Sequence, residues 1–114
     1  MSKKTVFTEL SKETLENLLE NLNEEQAILI KFGATWCGPC QMMGPVFEEL
    51  SGDYDGKLVF AKLNTEDHPE LAGQFGIQGI PSLLFVKSGE EADRLVGFMP
   101  KDLLKSKIDA SLAK

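Results

Sequence analysis

The two cysteines of this chain, Cys37 and Cys40, lie three residues apart, where an apolar run ends and a helical pattern of apolar residues begins. Residues at positions i and i+3 of a helix share one face, so the two sulfur atoms can meet. The unpaired backbone N–H groups and the dipole at a helix start favour an anion, and the thiolate is the reactive form of cysteine. The spacing therefore predicts a redox-active dithiol, with the Cys37 sulfur acidic and exposed at the helix start.

A structural disulfide and a zinc site are the two alternatives for this cysteine pair. Closing so short a ring removes little chain entropy, roughly 2 kcal/mol, so a disulfide here would stabilise the fold only weakly. A structural zinc ion needs four ligands, whereas the sequence offers this pair and a single histidine, His68. Redox chemistry is the preferred interpretation, and we expect no bound metal.

Length, composition and charge restrict the possible functions further. Of the 114 residues, 42% are hydrophobic and 26% are charged, the balance of a globular protein, and we expect one domain over 1–114. A net charge of −6 argues against binding to nucleic acid or to an anionic membrane, because both require basic patches. We find neither a signal-peptide pattern nor an apolar run approaching the roughly 18 residues of a membrane span. We therefore expect a cytoplasmic protein, in which a cysteine pair is catalytic or metal-binding rather than structural.

The elements that must position the cysteines alternate between strands and helices. Strands are predicted at 5–8, 27–32, 57–63, 82–86 and 92–98. Helices are predicted from an N-cap at Ser11 to Asn23, after Cys40 to Gly52, from Pro69 to near Gly76, and after Pro100. The alternation favours a parallel βαβ core, and a tight turn at 88–90 makes the last two strands antiparallel. The predicted fold class is α/β, a sheet of four or five strands with helices on both faces. Function in such sheets lies beyond the carboxyl end of a central strand, where Cys37 follows the strand ending at Phe32.

The chain resembles the thioredoxin family over essentially its whole length. The run Trp36-Cys37-Gly38-Pro39-Cys40 matches the active site of that family, and the segment Ile80-Pro81-Ser82 matches it about forty residues later. Further matches are Phe32, Ala34, Pro45, Lys57-Leu58, Ala61 to Asn64, Gly76-Ile77, Gly79, Gly89 and Val96-Gly97. A lone Cys-x-x-Cys is a weak signal, but the two segments together are a strong one. The resemblance implies the thioredoxin fold, a mixed sheet of about five strands flanked by about four helices.

The resemblance also implies a reaction, the reduction of protein disulfides by thiol–disulfide exchange. Cys37 would attack the substrate disulfide as a thiolate, and the buried Cys40 would then resolve the mixed disulfide and release the reduced substrate. No cofactor would be bound, because the cysteine pair itself carries the two electrons. The implied partners are disulfide-containing proteins and a separate thioredoxin reductase, a flavoprotein by resemblance, and we expect a monomer.

Residues around the cysteine pair receive roles from the same resemblance. Pro81 would be the cis proline of the family, facing the sulfur atoms. Gly38 and Pro39 would keep the loop small and stiff, and Pro39 has no N–H to leave unpaired. The apolar patch that accepts an extended substrate segment would consist of Trp36, Gly38, Pro39, Ile80, Pro81 and Gly97.

Lys31 departs from the family pattern, because it occupies the position of a buried aspartate thought to take the proton of the resolving cysteine. Gly33 likewise replaces a tryptophan of the family. A charged Lys31 near Lys62 would favour thiolate over thiol, which stabilises the reduced form and makes the disulfide a better oxidant. We therefore expect a shifted redox poise and a slower, more pH-dependent resolving step. Two alternatives stay open: a neutral Lys31 acting as a base, and a Lys31 that reaches solvent past Gly33.

Two rival functions also stay open. The first is a thioredoxin-like oxidant or isomerase; Gly38-Pro39 argues against it, because reductants of the family carry that dipeptide, whereas Lys31 argues for it. The second is a binding module that clamps a partner through the patch between Trp36 and Pro81 without turnover. Full biological function in a variant lacking both cysteines would favour the binding module.

Overall fold

The computed structural model describes residues 8–9, 11–21, 26–54, 58–87 and 90–113 of the chain. Its elements are β1 (Thr8–Glu9), α1 (Lys12–Asn21), β2 (Ala27–Gly33), α2 (Gly38–Ser51), β3 (Leu58–Asn64), α3 (Pro69–Gln74), β4 (Ser82–Lys87), β5 (Glu90–Val96) and α4 (Lys101–Leu112). A short 3-10 turn, Gly52–Tyr54, follows α2. The predicted order of strands and helices is confirmed. Some of the predicted elements include residues that lie outside the described ones: 5–7 and 57 of two strands, 22–23 of the first helix, and 88–89 of the turn.

The strands form one mixed sheet in the order β1-β3-β2-β4-β5. Strands β1 and β2 both pair with β3 in parallel, whereas β4 runs antiparallel to β2 and to β5. The parallel core and the antiparallel final pair are therefore both confirmed, and the fold class is α/β. Because β2 is central, its carboxyl end at Gly33 delivers the chain to the middle of one edge of the sheet.

Helices cover both faces of the sheet, and strand alternation decides which side chains meet which helix. On one face Leu29 and Phe60 pack with buried residues of α2 and α4. On the other face Ile28 packs with Leu15 of α1 and Leu71 of α3. No helix within the described ranges is both long and apolar enough to cross a membrane.

Helix α2, which carries the cysteine pair, crosses Pro45 without ending and runs on to Ser51. A proline inside a helix removes one ladder hydrogen bond, so the helix needs support from packing. Met43, Phe47 and Leu50 supply it, because they lie on one helical face and are fully buried against the sheet. This packing fixes the first turn of α2, and with it the cysteines, relative to β2.

Candidate active site

Cys37 is the N-cap residue of α2, and its Sγ accepts a hydrogen bond from the backbone N–H of Cys40 at 3.3 Å. Pro39 lies in the first helical turn, where its missing N–H costs no ladder bond. The predicted helix start at the cysteine pair is therefore confirmed. The Cys37 sulfur lies where the helix dipole and an aimed N–H group stabilise negative charge.

Both cysteines are buried free thiols, Cys37 with 6% and Cys40 with 5% of its surface exposed. The burial of Cys40 agrees with the resemblance, whereas the expected exposure of Cys37 was wrong. Ala34 and Ile80 pack around the pair, and the Ile80 carbonyl oxygen lies 3.9 Å from the Cys37 Sγ. The described residues contain no group of three or more His, Cys, Asp or Glu side chains that could hold a metal ion.

The segment leading into β4 closes over the Cys37 side of the site. The peptide bond between Ile80 and Pro81 is cis, as the resemblance implies, and Pro81 is buried. Gly97, directly after β5, donates its N–H to the Pro81 carbonyl at 2.8 Å. Its φ of +94° lies in the region that favours glycine. Ile80, Pro81 and Gly97 are thus brought together beside Cys37.

Apolar side chains are exposed around these residues. Trp36, directly before Cys37, has 71% of its surface exposed, and Gly38 and Pro39 are exposed as well. Val96 is 60% exposed, and its Cγ1 would lie 3.6 Å from a β-carbon at Gly79. The sequence did not lead us to include Val96 in the patch. The available signal was its position at the end of the last strand, which is an edge strand of the sheet.

Hydrogen bonds from the side chains of Glu66 and Gln41 hold the backbone at Thr35, just before Trp36, and these were not predicted from the sequence. Glu66 accepts hydrogen bonds from the backbone N–H of Thr35 at 2.9 Å and from its hydroxyl at 2.8 Å. Gln41 donates from Nε2 to the Thr35 carbonyl at 2.5 Å. Glu66 is 31 residues from Thr35 in the chain. The available signal was the parallel pairing of β2 and β3, which brings their carboxyl ends together.

A cavity of about 300 Å³ opens beside Cys40 at the carboxyl ends of β2 and β3. Lys31 and Lys62 both line it, and they face each other in the register of the two strands. The Lys31 Nζ lies 5.6 Å from the centre of the Phe47 ring and would be 3.9 Å from a β-carbon at Gly44. Lys31 therefore extends beneath the first turns of α2 and remains half-buried.

Gly33 lies next to the Cys40 sulfur in this cavity. A β-carbon at position 33 would lie 3.3 Å from the Cys40 Sγ and 3.4 Å from its Cβ, which is tighter than ordinary van der Waals contact. Any larger side chain must therefore push against Cys40 or occupy the space beside it. The glycine at this position leaves that side of the thiol open to the cavity.

Burial raises the pKa of the Cys40 thiol from 9.0 to about 11, and a hydrogen bond with Cys37 acts in the same direction. A backbone hydrogen bond at Ala34 and the positive charge of Lys31 act the other way and lower this pKa. The net effect keeps Cys40 a neutral thiol at neutral pH. Lys31 thus acts on the thiol in the direction expected from its charge, although burial is the larger effect.

This raised pKa predicts that the reduced protein loses stability between pH 9 and about pH 11. The unfolded chain releases the Cys40 proton first, so stability that is present below pH 9 is lost as the pH rises towards the folded pKa. The expected loss is roughly 2–3 kcal/mol. Denaturant unfolding across this range measures it, with Cys40→Ser as the control that keeps all other titrating groups. Parallel stability curves for the two proteins would contradict the raised pKa.

Residues 6–110 match the family model described as Thioredoxin. The chain belongs to the thioredoxin family. It is similar to Thioredoxin 2 of Chlorobaculum tepidum, with 50% identity over 90 residues, which cover 79% of this chain and 83% of the relative. Thioredoxin of Staphylococcus haemolyticus is 46% identical over 101 residues, covering 89% of this chain and 96% of the relative. Thioredoxin of Chlorobaculum thiosulfatiphilum is 49% identical over 90 residues, covering 79% and 83%.

Thioredoxin-family membership confirms the resemblance and the fold class, and it implies a general reaction. That reaction is thiol–disulfide exchange, and the chain has cysteines at positions 37 and 40 to perform it. Both cysteines follow the carboxyl end of the central strand β2, which is where the functional sites of α/β sheets lie.

Proposed function

We propose that this thioredoxin-family chain reduces protein disulfides through its Cys37-Gly38-Pro39-Cys40 dithiol. The observation that carries the proposal is the position of the Cys37 Sγ, which caps α2 and accepts the Cys40 N–H at 3.3 Å. This position at the start of a helix, with a backbone N–H group directed at the sulfur, supports Cys37 as the nucleophile. Cys40 is buried and its pKa is raised, so it remains a protonated thiol until the mixed disulfide has formed.

The proposed reaction consists of two exchange steps. The Cys37 thiolate attacks one sulfur of the substrate disulfide, the substrate S–S bond breaks, and a mixed disulfide forms. Cys40 then loses its proton and attacks the Cys37 sulfur, which releases the second substrate sulfur and leaves a Cys37–Cys40 disulfide. The substrate gains the two electrons that the dithiol loses, so no bound cofactor is required.

The proposed substrate surface comprises Trp36, Gly38, Pro39, Ile80, Pro81 and Gly97. Exposed Trp36 offers a large apolar face next to the nucleophile, which suits an extended or unfolded segment. The half-buried Ile80 contributes the carbonyl oxygen that lies 3.9 Å from the Cys37 Sγ. Val96, exposed at the end of β5, extends the apolar area.

The proposal also covers partners and the place of action. A thioredoxin reductase would restore the dithiol after each turnover. We place the activity in the cytoplasm, because two cysteines in one exchange motif suit a compartment that keeps thiols reduced. All described strands join one sheet, and both cysteines come from one chain, which supports a single domain acting as a monomer.

An insulin-reduction assay tests the proposed activity. With dithiothreitol as the electron source, the wild-type protein should accelerate the appearance of turbidity from reduced insulin chains. Cys37→Ser should give the rate of dithiothreitol alone, because no nucleophile remains. Equal rates for the wild type and Cys37→Ser would overturn the reductase and leave the binding module.

Lys31 and Lys62 are proposed to tune the dithiol, and Lys31→Asp tests the effect of Lys31. Lys31 lowers the pKa of Cys40 by its charge, so a carboxylate in its place should raise that pKa further. Ultraviolet titration of thiolate absorbance should therefore shift to higher pH. Lys107→Asp makes the same charge change at an exposed site of α4 and should leave the curve in place. Coincident curves for wild type and Lys31→Asp would end the hypothesis of a shifted redox poise and with it the support for an oxidant.

A further inference from the structure

The side chain of Arg94, on β5, contacts the backbone where helix α3 ends. Its Nη1 donates a hydrogen bond to the Gly76 carbonyl at 3.0 Å, and its Nη2 donates one to the Phe75 carbonyl at 2.5 Å. Carbonyl groups at the end of a helix lack partners within the helix and carry partial negative charge, which favours a cation beside them. Arg94 is 18 residues from Gly76 in the chain, so this contact requires β5 to be in place beside β4.

Two backbone hydrogen bonds close the end of α3 and leave these carbonyls for the guanidinium. The N–H of Gly76 bonds to the Gly73 carbonyl at 3.1 Å, and the N–H of Ile77 bonds to the Ala72 carbonyl at 2.9 Å. Gly76 has a φ of +64°, the left-handed conformation that this type of helix end requires. The chain therefore leaves α3 in a defined direction, and the guanidinium holds the two carbonyls at the point of exit.

Glu91 fixes the orientation of the guanidinium. Arg94 donates from Nε and Nη2 to the two carboxylate oxygens of Glu91, each at 2.9 Å. A bidentate pair fixes the plane of the guanidinium as well as its position. The side chains of Arg94 and Glu91 are 30% and 43% exposed, so the ion pair by itself adds little stability. Its effect is to direct the remaining N–H groups at the backbone after α3.

Further contacts from the same side of the molecule hold the rest of segment 75–81, the irregular stretch that joins α3 to β4. The Val96 side chain faces Gly79, where a β-carbon would lie 3.6 Å from its Cγ1. Side chains two residues apart on a strand share a face, so this contact and the guanidinium lie on the same side of β5. Gly97 donates its N–H to the Pro81 carbonyl at 2.8 Å. The segment is thus held at its start, in its middle and at its end.

Segment 75–81 carries one side of the proposed substrate surface. Ile80 and Pro81 belong to that surface, and the Ile80 carbonyl oxygen lies 3.9 Å from the Cys37 Sγ. An extended substrate that lies on these residues meets the backbone of the segment, whose shape depends on its contacts with β5. Cys37 itself is held separately, as the N-cap residue of α2. A change at the start of the segment therefore alters the surface and leaves the nucleophile in place.

We propose that Arg94 is a positioning residue for substrate binding, which holds segment 75–81 in the shape in which Ile80 and Pro81 meet an extended protein substrate. The inference rests on the proposed function, because it concerns the surface that this function requires. Arg94 takes no part in the exchange of bonds, which remains with the two cysteines. A protein disulfide must lie on the surface and therefore requires Arg94, whereas a small disulfide that reaches Cys37 directly does not.

The reaction of the reduced protein with two disulfides of different size tests this inference. Insulin is the protein substrate and dithionitrobenzoate is the small one, each supplied in excess at several concentrations. Oxidation of the dithiol is followed by acid quenching, alkylation of the remaining thiols and mass spectrometry. The measurements give a half-saturating concentration and a limiting rate for insulin, and a second-order rate constant for dithionitrobenzoate.

Arg94→Gln should raise the half-saturating insulin concentration about fivefold, because a segment that holds its binding shape for only part of the time binds correspondingly less. The limiting rate with insulin should stay within about twofold of the wild-type value, as expected when binding alone is lost. The rate constant for dithionitrobenzoate should also be unchanged. A general loss of folded protein would instead lower the reaction with both disulfides together.

Three companion variants separate positioning from charge and from folding. Arg94→Lys keeps the positive charge but not the planar fork, so it should restore part of the binding. Glu91→Gln leaves the guanidinium without its bidentate partner, and the half-saturating insulin concentration should rise about twofold. Lys107→Gln removes the same charge from an exposed site of α4 and should behave as wild type.

The outcomes distinguish this inference from the proposed function. Failure of the wild type to react with either disulfide would overturn the proposed function itself. An unchanged half-saturating insulin concentration in Arg94→Gln, with an intact dithionitrobenzoate reaction, would overturn only the role of Arg94. Equal slowing with both disulfides, or an equal rise in Lys107→Gln, would also overturn that role, because the effect would then arise from the fold or from net charge. If Arg94→Gln does not fold, Glu91→Gln decides: a raised half-saturating concentration supports the role, and an unchanged one overturns it.

Discussion

Replacing Cys40 with serine is expected to turn the protein into a trap that holds its substrates as mixed disulfides. Cys37 still caps α2 and still attacks, whereas the hydroxyl of serine cannot displace the substrate sulfur. Release of the reduced substrate should slow by at least about a thousandfold, since the exchange residues act as a unit. Mass spectrometry of the acid-quenched reaction should show one covalent adduct, sensitive to dithiothreitol, on Cys37.

Two companion variants make the trapping result specific. Cys37→Ser should form no adduct, because the Cys40 thiol has only 5% of its surface exposed and burial, the largest effect on its pKa, raises that pKa. The variant lacking both sulfurs sets the background of any adduct assay. Turnover by Cys40→Ser at the rate of the wild type, or an adduct that requires Cys40 instead of Cys37, would reverse the assigned roles.

Replacing Phe60 with alanine is expected to cause the second large effect, a loss of about 3–5 kcal/mol in the free energy of unfolding. Phe60 is 1% exposed on β3, and its ring centre lies 4.9 Å from that of Phe47 and 6.1 Å from that of Tyr54. Removing it leaves a void between the sheet and α2, the helix that carries the cysteines. Denaturant unfolding of the reduced proteins measures the loss.

Leu103→Ala is the matched control for Phe60→Ala. Leu103 is apolar and belongs to α4, and 46% of its surface is exposed, so its truncation should change stability by less than about 0.5 kcal/mol. Similar small losses in both variants would show that Phe60 does not join the sheet to α2. If Phe60→Ala also slows the reaction of Cys37, the packing of α2 is required to hold the N-cap in place.

The order of strands and helices could be predicted from local patterns in the sequence. The apolar run before the cysteine pair predicted β2. The helical spacing of apolar residues after the pair predicted α2, whose buried residues lie against the sheet. The tight turn before β5 predicted the antiparallel final pair. These features depend on neighbouring residues, and therefore each segment of the sequence carries its own signal.

The burial of Cys37 could not be predicted in this way, because it depends on groups distant in the chain. Ile80 is 43 residues away, and it meets Cys37 only after β4 has paired with β2. The contact of Glu66 with Thr35 likewise needs the pairing of β2 with β3. The position of Lys31 could be predicted in part. Strand alternation places Lys31 on the same face of the sheet as Leu29. The cavity beside Lys31 could not be predicted, because it depends on α2 lying across that face.

The most direct test of a two-electron dithiol is its equilibrium with glutathione. The protein is brought to equilibrium in buffers of increasing oxidised glutathione, quenched with acid and weighed by mass spectrometry. We expect a single two-electron transition, in which the chain loses two hydrogens and Cys37 and Cys40 become one intramolecular disulfide. No transition, or accumulation of a glutathione adduct on one thiol without the internal disulfide, would contradict the proposed exchange reaction.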